Sequence, residues 1–243
     1  MVSVTLGFAS IIIFSLVYLV DFKVLRRLNA AKLSSFAAGV GTVYVFIHML
    51  PQLAHGQELL KAEFHEYHFF GSQFAIYLVA LTGFVFFYMF ERILGYTAKL
   101  PTEEYTSSYE LYYYWTNVIF ISLYSALIGY VVGSYNLNDI SYQLIYLLAY
   151  VLHFITIKWG IYHIYPKKYD TQARYPIALG LFVGYFIAFF FNISDVVLAL
   201  IEAFLTGAMI LNVFKHELPN EEDSKSRSFI IGILLSTFLF MMI

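Results

Sequence analysis

The stretch VFIHMLPQ (45–52) returns near the other end of the chain as VFKHELPN (213–220). Shifting the sequence by 168 places carries 36–51 onto 204–219 and matches Phe36 with Phe204, Gly39 with Gly207, Val45 with Val213, Phe46 with Phe214, His48 with His216, Leu50 with Leu218 and Pro51 with Pro219. Seven identities in sixteen positions compare with about one for an arbitrary pairing of such segments. The histidines weigh most, because the chain has only seven. A phrase written twice implies a structural unit built twice.

Composition says what kind of unit. Of the 243 residues, 60% are hydrophobic, 20% aromatic and 12% charged, far from a soluble average. The apolar residues run in blocks at 3–20, 34–53, 72–94, 114–134, 141–163, 175–193, 196–214 and 228–243. Each block can cross a hydrocarbon core of about 30 Å as a helix with its backbone polar groups paired internally. The reading is an all-α membrane protein of eight transmembrane helices in a single transmembrane domain, 1–243. The opening MVSVTLGFAS lacks a basic start and a small-residue cleavage site, which predicts a retained first helix. Without cysteines there are no disulfides and no thiolate metal sites. A formal net charge of −2 and no basic run argue against nucleic acid.

Twelve of the fourteen basic residues fall in the odd-numbered connections, Lys61 alone falls in an even one, and Lys158 lies inside a span. Basic loops stay on the cytoplasmic side, so both termini are expected outside, in a plasma or inner cell membrane. The first copy of the phrase closes the second span and the second closes the seventh. Those spans run in opposite directions, which predicts an inverted-topology repeat, a design frequent among secondary transporters. Spans one to three would mirror six to eight around a central pair, a 3+2+3 plan. By the same reading His48 and His216 lie at opposite faces of the membrane.

Several segments resemble the ZIP (Zrt/Irt-like) metal-ion transporters. AAGVGTVYVFIHMLPQL (37–53) looks like that family's second helix, EAFLTGAMILNVFKHELPNE (202–221) like its seventh and FVFFYMFERIL (84–94) like its third. The resemblance implies a divalent-metal transporter such as one for zinc, with the ion held midway through the membrane. In that family the fourth helix carries a His-Asn-x-x-Asp-Gly-like motif and the fifth a His-Glu-x-Pro-His-Glu-x-Gly-like one. Setting Gly129 on the first motif's glycine puts Tyr124, Ser125 and Ile128 at the ligand positions. Setting Gly160 on the second puts His153 at the first His, Phe154 at the first Glu, Ile157 at the second His and Lys158 at the last Glu.

One ligand survives, no carboxylate does, and one acid has become a cation. A zinc ion usually takes four donors, so the family's site is expected to be absent. Reverting Lys158→Glu, Ile128→Asp and Phe154→Glu together restores the acids, and on sequence grounds a scaffold with a working pathway should then regain metal uptake.

Lys158 has two readings: an ammonium occupying the space of a lost metal, or a snorkelling residue reaching toward Pro166. His153 with Tyr124 or Ser125 fits either a pathway or a hydrogen bond pinning two helices. Glu202 and Asn212 on the seventh span line a pathway or sit at the interfaces. In the outer loop 55–70, His65 and His68 with Glu58 are spaced to capture a cation such as zinc, and an amphipathic loop lying on the headgroups explains the segment equally. Gly129/Gly133 and Gly180/Gly184 read as small-residue faces for close helix contact.

Three functions follow: a ZIP-like transporter with most intramembrane ligands replaced; a non-transporting relative serving as sensor or partner subunit; and an intramembrane zinc hydrolase, for which three ligands at catalytic depth are not visible. The chain is therefore expected not to be an enzyme. Its expected partners are the lipid bilayer, a small inorganic cation or another solute, and a second copy of itself.

Overall fold

The computed structural model describes residues 2–20, 30–64, 73–97, 107–134, 146–155, 157–158, 168–217 and 226–241. Among these residues all regular structure is helical. Eight apolar helices follow one another, five of them long enough to cross a membrane by themselves and three shorter. They are α1 (Val2–Leu19), α2 (Ala30–Val43, Tyr44–Met49 and Leu50–Glu63), α3 (Ala75–Thr97), α4 (Ser107–Ser134), α5 (Tyr146–Ile155), α6 (Tyr169–Ala173 and Arg174–Phe190), α7 (Asp195–Asn212 and Val213–Glu217) and α8 (Ser226–Met241). This is a multi-pass helical membrane protein.

The repeated phrase behaves differently from its sequence reading. Pro51 was expected to end the second span, yet α2 continues to Glu63. Proline has no N–H for the carbonyl one α-turn back. The chain accommodates this with a wider π-helical turn over Tyr44–Met49, in which the Leu50 N–H donates to Val45 O, five residues behind. Leu50–Glu63 then restarts with Pro51 in its first turn, where a missing N–H costs nothing. His48 therefore lies in the middle of a long helix and not at its end. Residues 55–63 of the expected outer loop are helical too. The second phrase makes the same move: Val213–Glu217 is again a π turn.

The chain divides into two compact units. Unit one holds α1, the end of α3 from Tyr88, α4, the segment from Phe154 and α6. Its spine is a crossing of α4 with α6, where Gly180 lies against the Ser122 carbonyl and Gly184 against that of Ala126, while Gly129 meets Leu181 and Gly133 meets Tyr185. Both rows advance in the same sense, so the two helices run parallel. The two small-residue motifs of the sequence thus pack on each other. Without Cβ atoms the backbones come close enough for Cα–H···O contacts. Phe90 stacks on Phe120 at 3.6 Å to tie α3 to this pair, and Tyr130 donates its hydroxyl to Phe191 O at 2.6 Å.

Unit two holds α2, α3 up to Phe87, Tyr146–His153 of α5, α7 and α8. Gly39 on α2 lies against the α8 backbone at Phe229–Ile233, and Gly207 on α7 lies against the α3 backbone at Ala80–Phe84. Helices α2 and α7 run antiparallel: Gln52 bonds Glu202, and Gly56, four residues on, meets Ala199, three residues back. Leu53, Leu60, Ile76 and Ala203 fill the space between them. Ser194 starts α7 as its N-cap, its hydroxyl accepting from Val197 N at 3.4 Å, as Ser commonly does.

Candidate functional site

A set of polar and aromatic side chains inside unit two forms a stripe along α2, α5 and α7. At one end, the Gln52 amide donates to Glu202 Oε2 at 3.2 Å. Glu202 lies seven residues into α7, about 10 Å along its axis at 1.5 Å per residue, so this carboxyl is well inside the span. Next comes an aromatic cluster. Tyr44 packs on His48 at 4.8 Å between ring centroids, on Tyr150 at 5.8 Å and on Tyr146 at 6.3 Å, and Tyr146 lies 4.5 Å from Tyr150. The Tyr150 hydroxyl lies near those of Tyr146 and Tyr44, and Glu202 is close enough for its charge to act on Tyr150. At the other end, His153 is almost fully buried and its Nδ1 lies 3.2 Å from the Asn212 amide nitrogen. An amide N–H only donates, so Nδ1 accepts and the ring proton sits on Nε2 in the neutral form. From Glu202 to Asn212 the stripe covers about 15 Å of α7.

Sequence reasoning singled out Glu202, Asn212 and His153, and the structure brings all three into this stripe. It did not find Gln52, Tyr44, Tyr146 or Tyr150. Tyrosine is common here, with 22 in the chain, so its type carries no signal. Only the antiparallel packing of α2 and α7 reveals which ones converge.

Tyr124, Ser125 and Lys158 belong to unit one. Tyr124 and Ser125 are buried on α4. The Ser125 hydroxyl lies near that of Tyr18, yet neither has a direct hydrogen-bond partner among the described residues, and nor does Ser15.

Lys158 is fully buried, which overturns snorkelling. Its ammonium donates to Val17 O at 2.9 Å and, by a short bond, to Val20 O, with the Tyr169 ring 5.8 Å away. Tyr169 donates to Tyr18 O at 3.1 Å, and Arg174 to Leu19 O at 3.4 Å. All four carbonyls that close α1 thus receive a side-chain donor. The last carbonyls of a helix have no partner within it and carry its negative dipole end. A buried cation there is a C-terminal cap.

Among the described residues no three His, Cys, Asp or Glu side chains come together as a metal site. Of the outer set, Glu58 stands exposed on α2, whereas His65 and His68 lie outside the described residues. No family model, curated protein or solved structure matches the chain.

Proposed function

We propose that the chain is an integral membrane transporter of the plasma or inner membrane, built as an inverted repeat on a ZIP-like plan with the divalent-cation site rewritten. The observation that carries this reading is the correspondence inside unit two. The shift of 168 that aligns the phrases also aligns their π turns, 45–49 with 213–217. It pairs Gly39, set into α8, with Gly207, set into α3, and α8 and α3 are mates on the 3+2+3 plan. The mates Phe46 and Phe214 touch each other at 6.4 Å. Reciprocal contacts, with a self-contact between equivalent residues, are the signature of a two-fold relation. The antiparallel run of α2 and α7 supports an axis in the membrane plane.

On this plan both termini face out. The absence of cysteine gives a clean background for testing it. Glu58→Cys should react with an impermeant maleimide on intact cells, and Lys32→Cys only after lysis. The reverse pattern would remove the orientation.

The stripe from Gln52–Glu202 to His153–Asn212 is the proposed pathway. With Lys158 at an acid position and no clustered ligands among the described residues, the cargo on this reading is a solute other than a divalent metal. Protein reconstituted in liposomes should move no Zn²⁺ beyond protein-free vesicles, and should move a member of a panel of monovalent ions and small polar solutes. Loss of that flux in Asn212→Leu places it on the stripe. Zn²⁺ flux from the unmodified protein would show that the site was not rewritten. A second reading, a non-transporting sensor or partner subunit, is favoured by Lys158, whose ammonium is fixed to α1. Flux of nothing in the panel selects it.

A further inference from the structure

Glu202 differs from the other polar groups of the stripe in its choice of partners. From α2 it faces the Gln52 amide, with His48 and Tyr44 in the adjoining aromatic cluster. On α5, Tyr150 lies within electrostatic range of it and packs on Tyr146, with His153 beyond. On the adjoining face of α7, α3 contributes Ile76 and Ala80 to the apolar core that holds Ala203. On its own helix the next turn contributes Thr206, whose hydroxyl donates to the Glu202 carbonyl at 2.7 Å.

A side-chain amide and a phenol each both donate and accept hydrogen bonds. An ionised Glu202 can accept from Gln52 Nε2, as it does here. A protonated Glu202 can donate to Gln52 Oε1 after the amide turns over. The Gln52 contact serves either state, so it does not commit the carboxyl to one of them. An ionisable group inside a membrane span that is held in this way marks an ion or proton path.

We propose that Glu202 is a reversible proton-binding site of unit two, with Gln52 as its hydrogen-bond partner in both states and Tyr150 nearby. On uptake an O–H bond forms on a carboxylate oxygen with a proton supplied by water, and on release the same bond breaks. No redox partner enters. Within the transporter reading, on which only this last step rests, that proton is the coupling ion for movement along the stripe.

Infrared difference spectra of the full chain in detergent, taken across a pH titration, test the site directly. The expected result is a carboxylic C=O band that titrates in the wild type, disappears in Glu202→Gln and persists in Glu58→Gln. Gln52→Leu and Tyr150→Phe keep the carboxyl and should move the half-titration pH by roughly half a unit or more. An unchanged band in Glu202→Gln overturns the proposal. If Glu202→Gln does not fold, unchanged midpoints in both partner variants overturn it equally.

Proton flux into liposomes holding a pH-sensitive dye, under an imposed pH gradient, separates the two readings. Flux lost in Glu202→Gln supports both. A titrating band without flux leaves the proton site standing and counts against transport.

Discussion

Gly184→Leu is expected to leave no monodisperse protein to purify. Gly184 sits where α6 crosses α4, and a Cβ there would fall well inside contact distance of the Ala126 carbonyl oxygen and 2.9 Å from Tyr130 N. Both are backbone atoms, so no rotamer change can relieve the clash. The helices must separate instead, and Gly180 and Gly129 on neighbouring rows would lose their close approach with them. Forcing extra methylenes into a packed site typically costs about 1–3 kcal/mol. Gly184→Ala is expected at the top of that range, and leucine beyond it. Gly7→Ala is the control: its added methyl would meet only the Tyr185 side chain, at 3.2 Å, which can yield. Size-exclusion profiles and thermal unfolding in detergent read the difference. Wild-type behaviour of Gly184→Leu would mean that this crossing is not what holds α4 to α6.

The two glycine faces of that crossing were legible from sequence because their cause is local, while their pairing with each other was not. Two glycines four residues apart open one helix face whatever the partner is. The eight apolar helices, five of them long enough to span, were legible for a similar reason, since unbroken apolar runs answer to the bilayer and not to one another. Pro51 misled because a proline after an apolar run ordinarily stops a helix. A π turn that shifts the hydrogen bonds by one residue leaves no mark in composition. Lys158 misled more deeply. Its partners, the carbonyls of Val17 and Val20, lie 141 and 138 residues away and belong to the backbone, so no residue type announces them. The His153–Asn212 pair likewise joins positions 59 apart. Candidate residues were visible one at a time; which of them meet is decided by helix packing.

The same contacts decide the outcome at Lys158. On sequence grounds Lys158→Glu, with Ile128→Asp and Phe154→Glu, restores a family metal site. The structure predicts that this protein will not fold. Ile128 and Phe154 are fully buried, and Phe154 packs edge-on against Phe14 at 5.2 Å and against Tyr18 at 5.3 Å. A carboxylate at either position has no donor arranged for it, and burying an unpaired charge is among the costliest changes a protein can suffer. Lys158→Glu alone sets a negative group against two carbonyl oxygens at the negative end of the α1 dipole. Lys158→Met isolates the cap, since it keeps most of the side-chain volume and removes the donor. Two charge-assisted bonds vanish and buried carbonyls remain, which should cost on the order of 3 kcal/mol. Lys158→Arg, still a cation, should retain more stability than Lys158→Met, and Lys158→Glu should retain least. Thermal unfolding in detergent, with limited proteolysis following the release of α1, gives the ranking. A Lys158→Met protein as stable as wild type would remove the cap from the forces holding α1 in unit one.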